Sequence, residues 1–189
     1  MVWDLPVRVF HWSLAGFFSL AYWLGSDWPG LHAHAGYTVA LLVGFRILWG
    51  FIGSTHARFA DFVTAPAAML RCLGALARGR PEVYRGHDPA GAAMILALLA
   101  SLLVTALSGM SLFAMEGRGP LAGTAVAGWS DRPMVDVHHV ASDLTLVLVA
   151  VHVAGVLITS ALTRTNLVRA MITGRKPPVG PAAGGKART

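Results

Sequence analysis

Charged residues are absent, or nearly so, from four long stretches of the chain. No Asp, Glu, Lys or Arg occurs from Val9 to Ser26. Between Asp27 and Arg58 the only charge is Arg46, and the apolar part runs from about Leu31 to Gly53. Pro89 to Met115 is uncharged throughout, and Val137 to Thr163 is interrupted only by Asp143. These runs are continuous rather than alternating, which excludes a barrel, and each is close to the roughly 20 residues a helix needs to cross a bilayer. They predict an all-α integral membrane four-helix bundle in one unit over residues 1–173, with spans at about 9–26, 31–53, 90–115 and 137–163. His11, Trp12, Tyr22 and Trp23, with no A-x-A site following, suit a retained first helix rather than a cleaved signal peptide. Between the second and third spans, Pro66 to Arg80 reads either as an amphipathic helix on the membrane surface, with Met69, Leu70, Leu73 and Leu76 apolar, or as a solvated basic loop. Gly174 to Thr189, rich in Gly, Pro and Ala, reads as a flexible tail.

Composition supports the membrane reading. Of the 189 residues 55% are hydrophobic and 13% charged, against roughly 25% charged in soluble domains. That excludes one soluble domain and, equally, a disordered chain. The net charge of +6 is distributed by side. Arg58, Arg71, Arg78, Arg80 and Arg85 face only Asp61, Glu82 and Asp88 in the long connection, and the tail carries Arg164, Arg169, Arg175, Lys176, Lys186 and Arg188 without an acid. The opposite side holds Asp27, Glu116, Arg118, Asp131, Arg132 and Asp136. By the positive-inside rule both termini are expected in the cytoplasm, and the basic excess marks cytoplasmic loops rather than a nucleic-acid partner. Trp28, Trp49 and Trp129 fall near span ends, as an interfacial belt requires. The single cysteine, Cys72, excludes internal disulfides, Cys-rich zinc or iron–sulfur sites and a CxxCH haem attachment.

Eight histidines carry the candidate chemistry. An ionisable side chain within a membrane is costly without a partner and is a functional candidate for that reason. His138 and His152 are two heptads apart in the fourth span, so they share one face at depths differing by roughly 21 Å. His139 falls on nearly the opposite face. Helices 2 and 4 both start outside, so His32 or His34 can meet His138 near the outer surface, and His11 can meet His152 near the inner one. Gly36, one helical turn after His32, favours His32 and leaves room for a flat ring; Gly155, one turn after His152, can do the same. His34, His56, His87 and His139 read more simply as interfacial residues or caps. Two separated pairs do not make a closed zinc site, but a haem iron needs only two axial ligands, so two b haems match the count, and bis-histidine ligation points to electron transfer. Arg46, two heptads after His32, either pairs with a propionate of the inner haem or snorkels. Asp143 is either part of a proton path or a cap.

The residues VFHW around His11, LHAHAGY followed by FRILWGFIG, YRGHDP, HHVASDLTLVLVAVH and NLVRAMITGRK resemble the bacterial cytochrome b561 family, four-helix di-haem cytochromes b of the bacterial inner membrane related to hydrogenase cytochrome b subunits. The resemblance covers nearly the whole chain. It implies axial ligation by His11, His32, His138 and His152, in agreement with the spacing; the doubled His138–His139 and the HAH pair keep one-residue alternatives open. It further implies electron exchange between a membrane quinone and a partner redox protein: a hydrogenase, another oxidoreductase or a cytochrome c. Some members instead oxidise superoxide directly with quinone as acceptor. The outer surface mixes Arg118 and Arg132 with Glu116, Asp131 and Asp136, which favours a relay docking a protein on residues 117–137. A transporter using His and Asp is a third reading, but the almost purely aliphatic third span argues against it.

Overall fold

The computed structural model describes residues 2–25, 27–80, 84, 86–129 and 131–176. Glu82, Arg85, Lys186, Arg188 and most of the expected tail lie outside the described residues. All regular structure among the described residues is helical: α1 (Leu5–Leu24), α2 (Pro29–Ile52), α3 (Phe59–Phe62), α4 (Pro66–Ala77), α5 (Pro89–Met115), α6 (Asp131–Thr163) and α7 (Leu167–Thr173), with short 3-10 turns at Thr55–Ala57 and Ala125–Gly128.

Three helices are long and apolar enough to cross a membrane: Pro29–Ile52, Pro89–Met115 and Arg132–Thr163. The remaining long helix, α1, has 20 residues. With Arg8, His11, Ser13 and Ser19 it lacks an apolar stretch as long as those of the other three. Capping displaces the helix starts from the first uncharged residue. Asp4 begins α1 by accepting from the Val7 amide at 2.8 Å, with a proline in the first turn, and Asp88 does the same for α5 through the Gly91 amide at 2.8 Å. An acid is favourable where the first amides of a helix lack partners. The helix α6 likewise starts ahead of its apolar run, at Asp131. Pro66–Ala77 is a helix, so the loop alternative for that segment is set aside; Met69 and Leu76 are half-buried while Leu70 and Leu73 are exposed.

The chain packs in sequence order, α1 on α2, α2 on α5 and α5 on α6. Phe10, Val39, Val43, Leu99 and Leu102 form the buried centre where α1, α2 and α5 meet. The α5–α6 seam is polar at its core: Ser101 Oγ and Thr145 Oγ1 are 2.6 Å apart, and Ser101 also donates to the Ala141 carbonyl at 3.2 Å. Small hydroxylated residues let two helix backbones approach and satisfy each other without water. On its other side α6 exposes Val140, Leu144, Val147 and Val151, a surface suited to lipid.

The first and last described helices are joined at one end. Val2 and Trp3 amides donate to the Gly174 carbonyl at 2.8 and 3.3 Å. Gly174 sits at φ +75°, where an added Cβ would meet the Trp3 carbonyl oxygen at 2.6 Å, so glycine is required there. Lys176 donates to the Gly86 and Tyr84 carbonyls at 2.9 and 3.3 Å, fastening the segment before α5.

Candidate functional site

Two histidine pairs form between helices distant in sequence. The His32 and His138 ring centres are 6.0 Å apart, and those of His11 and His152 are 6.4 Å apart. The pairs join α2 to α6 and α1 to α6, at the two depths set by the two-heptad spacing on α6.

The choice among neighbouring histidines has a structural cause. His32 Nδ1 lies 2.9 Å from the Ala21 carbonyl of α1. His138 Nδ1 lies 3.0 Å from the Thr105 carbonyl and 3.1 Å from Ser108 Oγ, both on α5. A carbonyl can only accept, so Nδ1 donates in each ring and Nε2 is left with its lone pair, the form a metal ligand needs. His34 instead turns back to the Gly30 carbonyl of its own helix at 2.6 Å. His139 is exposed, and its ring lies edge-on to that of His138. Gly109 makes room for His138: a Cβ there would stand 2.9 Å from His138 Cε1. Thr105, Ser108 and Gly109 are functional supports that hydropathy did not single out, because in sequence they interrupt an aliphatic run without any charge.

Gly36 and Gly155 both face open space, with nothing within 4 Å of an added Cβ. Gly16, Gly30 and Gly44 are equally open, so openness alone does not distinguish the two. Asp143 is not a cap, since it lies inside α6 and accepts from the Tyr22 hydroxyl of α1 at 3.2 Å.

Arg46 is 3% exposed, which rules out snorkelling. Its guanidinium carbon lies 5.2 Å from the Phe59 ring centre and 5.8 Å from that of Phe62, and Nη1 is buried with no partner among the described residues. His87, expected at an interface, is half-buried, with Nδ1 shielded from solvent. Its ring lies 4.3 Å from Trp3 and 4.7 Å from Phe62. Burial, aided by the positive charges of Arg46 and Lys176, lowers its pKa to about 3. His56 is the surface residue expected, 3.0 Å from Asp61. On the opposite side, Arg118 pairs with Glu116 at 3.5 Å and lies over the Phe113 ring at 4.3 Å.

What can the two pairs hold? Two imidazoles on one metal, with bonds of roughly 2 Å on each side, place their ring centres about 6 Å apart. Both observed separations fit. Among the described residues no three His, Cys, Asp or Glu side chains gather as a metal site, so each pair could serve only a metal that brings its other ligands with it, as porphyrin iron does.

A family model described as prokaryotic cytochrome b561 matches residues 2–174. The chain belongs to this family. Membership makes it a membrane electron-transfer protein of the b-haem class. Among similar curated proteins are three named "Probable Ni/Fe-hydrogenase B-type cytochrome subunit". That of Rhizobium leguminosarum bv. viciae is 26% identical over 93% of this chain and 87% of the relative. That of Bradyrhizobium diazoefficiens is 25% identical over 93% and 85%, and that of Azotobacter vinelandii 26% over 92% and 86%. No solved structure matches the chain. The residues present fit the implied haem b: paired imidazoles at ligating separation, two with their Nδ1 atoms already engaged, and a buried guanidinium with one nitrogen unpartnered among the described residues.

Proposed function

We propose that this cytochrome b561 protein carries electrons across the bacterial inner membrane through two b haems, one held by His11 and His152 near the cytoplasmic surface and one by His32 and His138 near the outer surface. The observation that carries the reading is the pairing of both α6 histidines with histidines of two other helices at about the same ring separation, 6.0 and 6.4 Å. Haem b supplies reversible one-electron exchange between ferric and ferrous iron. The protein's part is to occupy both axial positions, which leaves none for oxygen or substrate. It also fixes the rings: the Ala21 carbonyl orients His32, and the Thr105 carbonyl with Ser108 orients His138. Gly36 and Gly155 are assigned as the open faces beside the porphyrins.

In this reading α1 crosses the membrane with the three more apolar helices, and both termini are cytoplasmic. The described basic residues Arg58, Arg71, Arg78, Arg80, Arg164, Arg169 and Arg175 support this by lying on one side. The names of the similar proteins support a hydrogenase as the redox partner, docking on residues 117–137, which include the start of α6, with a membrane quinone at the other end of the relay. They favour this relay over a standalone superoxide oxidase.

The test is a reduced-minus-oxidised spectrum of the purified protein with haem counted per chain. Two low-spin b haems are expected. His11→Ala and His152→Ala should remove one and the same haem, and His32→Ala and His138→Ala the other. One haem in the wild type, or a different grouping of the four variants, would overturn the assignment.

A further inference from the structure

Arg46 and His87 stand on two sides of Phe62 near the Gly174 end of the bundle. Each presents a buried side-chain nitrogen with no partner among the described residues, Arg46 Nη1 and His87 Nδ1. Both flank the same ring: Phe62 lies 5.8 Å from the Arg46 guanidinium carbon and 4.7 Å from the His87 ring centre. Trp3 closes the far side of His87.

A buried guanidinium is costly without an anion and further hydrogen bonds, and its contacts with Phe59 and Phe62 meet only part of that cost. The nearby described carboxylates are committed elsewhere. Asp4 accepts from the Val7 amide, Trp49 Nε1 and Ser54 Oγ, Asp61 pairs with His56, and Asp88 caps α5 at the Gly91 amide. Lys176 brings another cation close, half-buried and fastened on carbonyls. Arg46 Nη1 and His87 Nδ1 are therefore left without a hydrogen-bond partner among the described residues, although carboxylates stand nearby.

The depth of Arg46 is set by packing. Phe10, the neighbour of His11, has its ring 6.3 Å from that of Phe45, the neighbour of Arg46. Arg46 thus stands near the level of His11, at the same end of the bundle as the His11–His152 pair.

We propose that Arg46 and His87 hold the propionate carboxylates of the haem bound by His11 and His152, with Lys176 as a positioning residue that ties the His87 segment in place. The inference rests on the two-haem reading above. The two partnerless nitrogens decide the occupant: a carboxylate brings two acceptor oxygens and forms a charge-assisted bond with a guanidinium, whereas a quinone oxygen accepts only a neutral bond. Arg8 Nε is also buried and unpartnered, but Arg8 lines an apolar groove of about 440 Å³ with Leu5, Val9, Trp12, Ser13 and Ile172 and is left out of the assignment.

The experiment follows haem transfer from the purified full chain to excess apomyoglobin. Arg46→Gln and His87→Leu should each speed one of two loss phases about tenfold, the effect of one hydrogen bond to a charged group, and His87→Gln, which keeps a donor, should restore slow loss. Wild-type chain reconstituted with haem dimethyl ester should lose it as fast as the variants lose haem, and the ester should be insensitive to either substitution. This wild-type comparison holds even where a variant folds poorly. Equal acceleration of haem and ester by the substitutions would make both residues merely structural and overturn the proposal. So would unchanged retention accompanied by a raised quinone KM. If His11→Ala keeps both haems, the two-haem reading itself fails; if His11→Ala loses one while the Arg46 and His87 variants release haem like wild type, only the propionate assignment fails.

Discussion

Gly109→Ala separates helix stability from ligand placement at a single atom. Alanine is the better helix former, by about 1 kcal/mol in a helix interior, and Gly109 lies inside α5. The new Cβ, however, would stand 2.9 Å from His138 Cε1 and 3.2 Å from Nδ1, where ordinary contact begins at 3.4 Å. The ring must then retreat by about half an ångström to restore an ordinary contact. His138 Nδ1 is held by the Thr105 carbonyl at 3.0 Å; a retreat of that size takes this bond to about 3.5 Å, the edge of useful hydrogen bonding. Losing it costs about 1 kcal/mol, close to the helical gain. On the proposed two-haem reading, the net expectation is a chain of nearly unchanged thermal stability whose haem at the His32–His138 pair is partly lost or altered in its low-spin electron paramagnetic resonance signal, while the other haem is unaffected. Gly16→Ala is the control, since nothing lies within 4 Å of its new Cβ. Two full haems with both signals unchanged in Gly109→Ala would refute the claim that this glycine seats the ligand.

Three further outcomes follow from contacts described above. Thr145→Val removes the buried 2.6 Å contact with Ser101 and should lower stability by about 0.6–2 kcal/mol, measured by unfolding in mixed micelles; no loss would mean the seam is held by packing alone. Gly174→Ala combines φ +75° with a Cβ pressed on the Trp3 carbonyl, and should cost more than the roughly 1 kcal/mol of a left-handed alanine, read as a lowered Tm. Burial raises the Asp4 carboxyl pKa, but bonds from Ser54, Val7 and Trp49 outweigh it and hold the pKa below the ordinary 3.8. Its contribution is therefore complete above pH 3.8 and fades as pH falls through the lower folded value. Melting curves over that acid range should lose part of their pH dependence in Asp4→Asn; identical slopes would count against the cap.

Much of this architecture is legible in the sequence because a bilayer imposes long uninterrupted apolar runs, and because two heptads along one helix return to one face. Those two facts were enough to bring His32 or His34 to His138, and His11 to His152. The preference for His32 rested on Gly36, which is no more open than other glycines of the bundle; the contact that turns His32 inward is with the Ala21 backbone carbonyl, which every residue type carries. Ser108 and Gly109 were hidden for a related reason, as small residues in an apolar span mark close approach without saying to what. His87 read as an interfacial residue because its burial depends on Trp3, far away in sequence, and on Phe62. Helix starts were displaced because the reading began each span at the first uncharged residue, while the backbone of α1 and α5 begins at an acidic cap.

The link from Val2 and Trp3 to Gly174 also divides the bundle into two parts. All four paired histidines lie before Thr163, and none belongs to the closing segment. Trp3 and the segment ending at His87 do lean on it, because Gly174 and Lys176 fasten them. The Gly174 junction is thus a clasp on the Arg46 end: loosening it would unseat His87 from Trp3 while leaving both ring pairs in place.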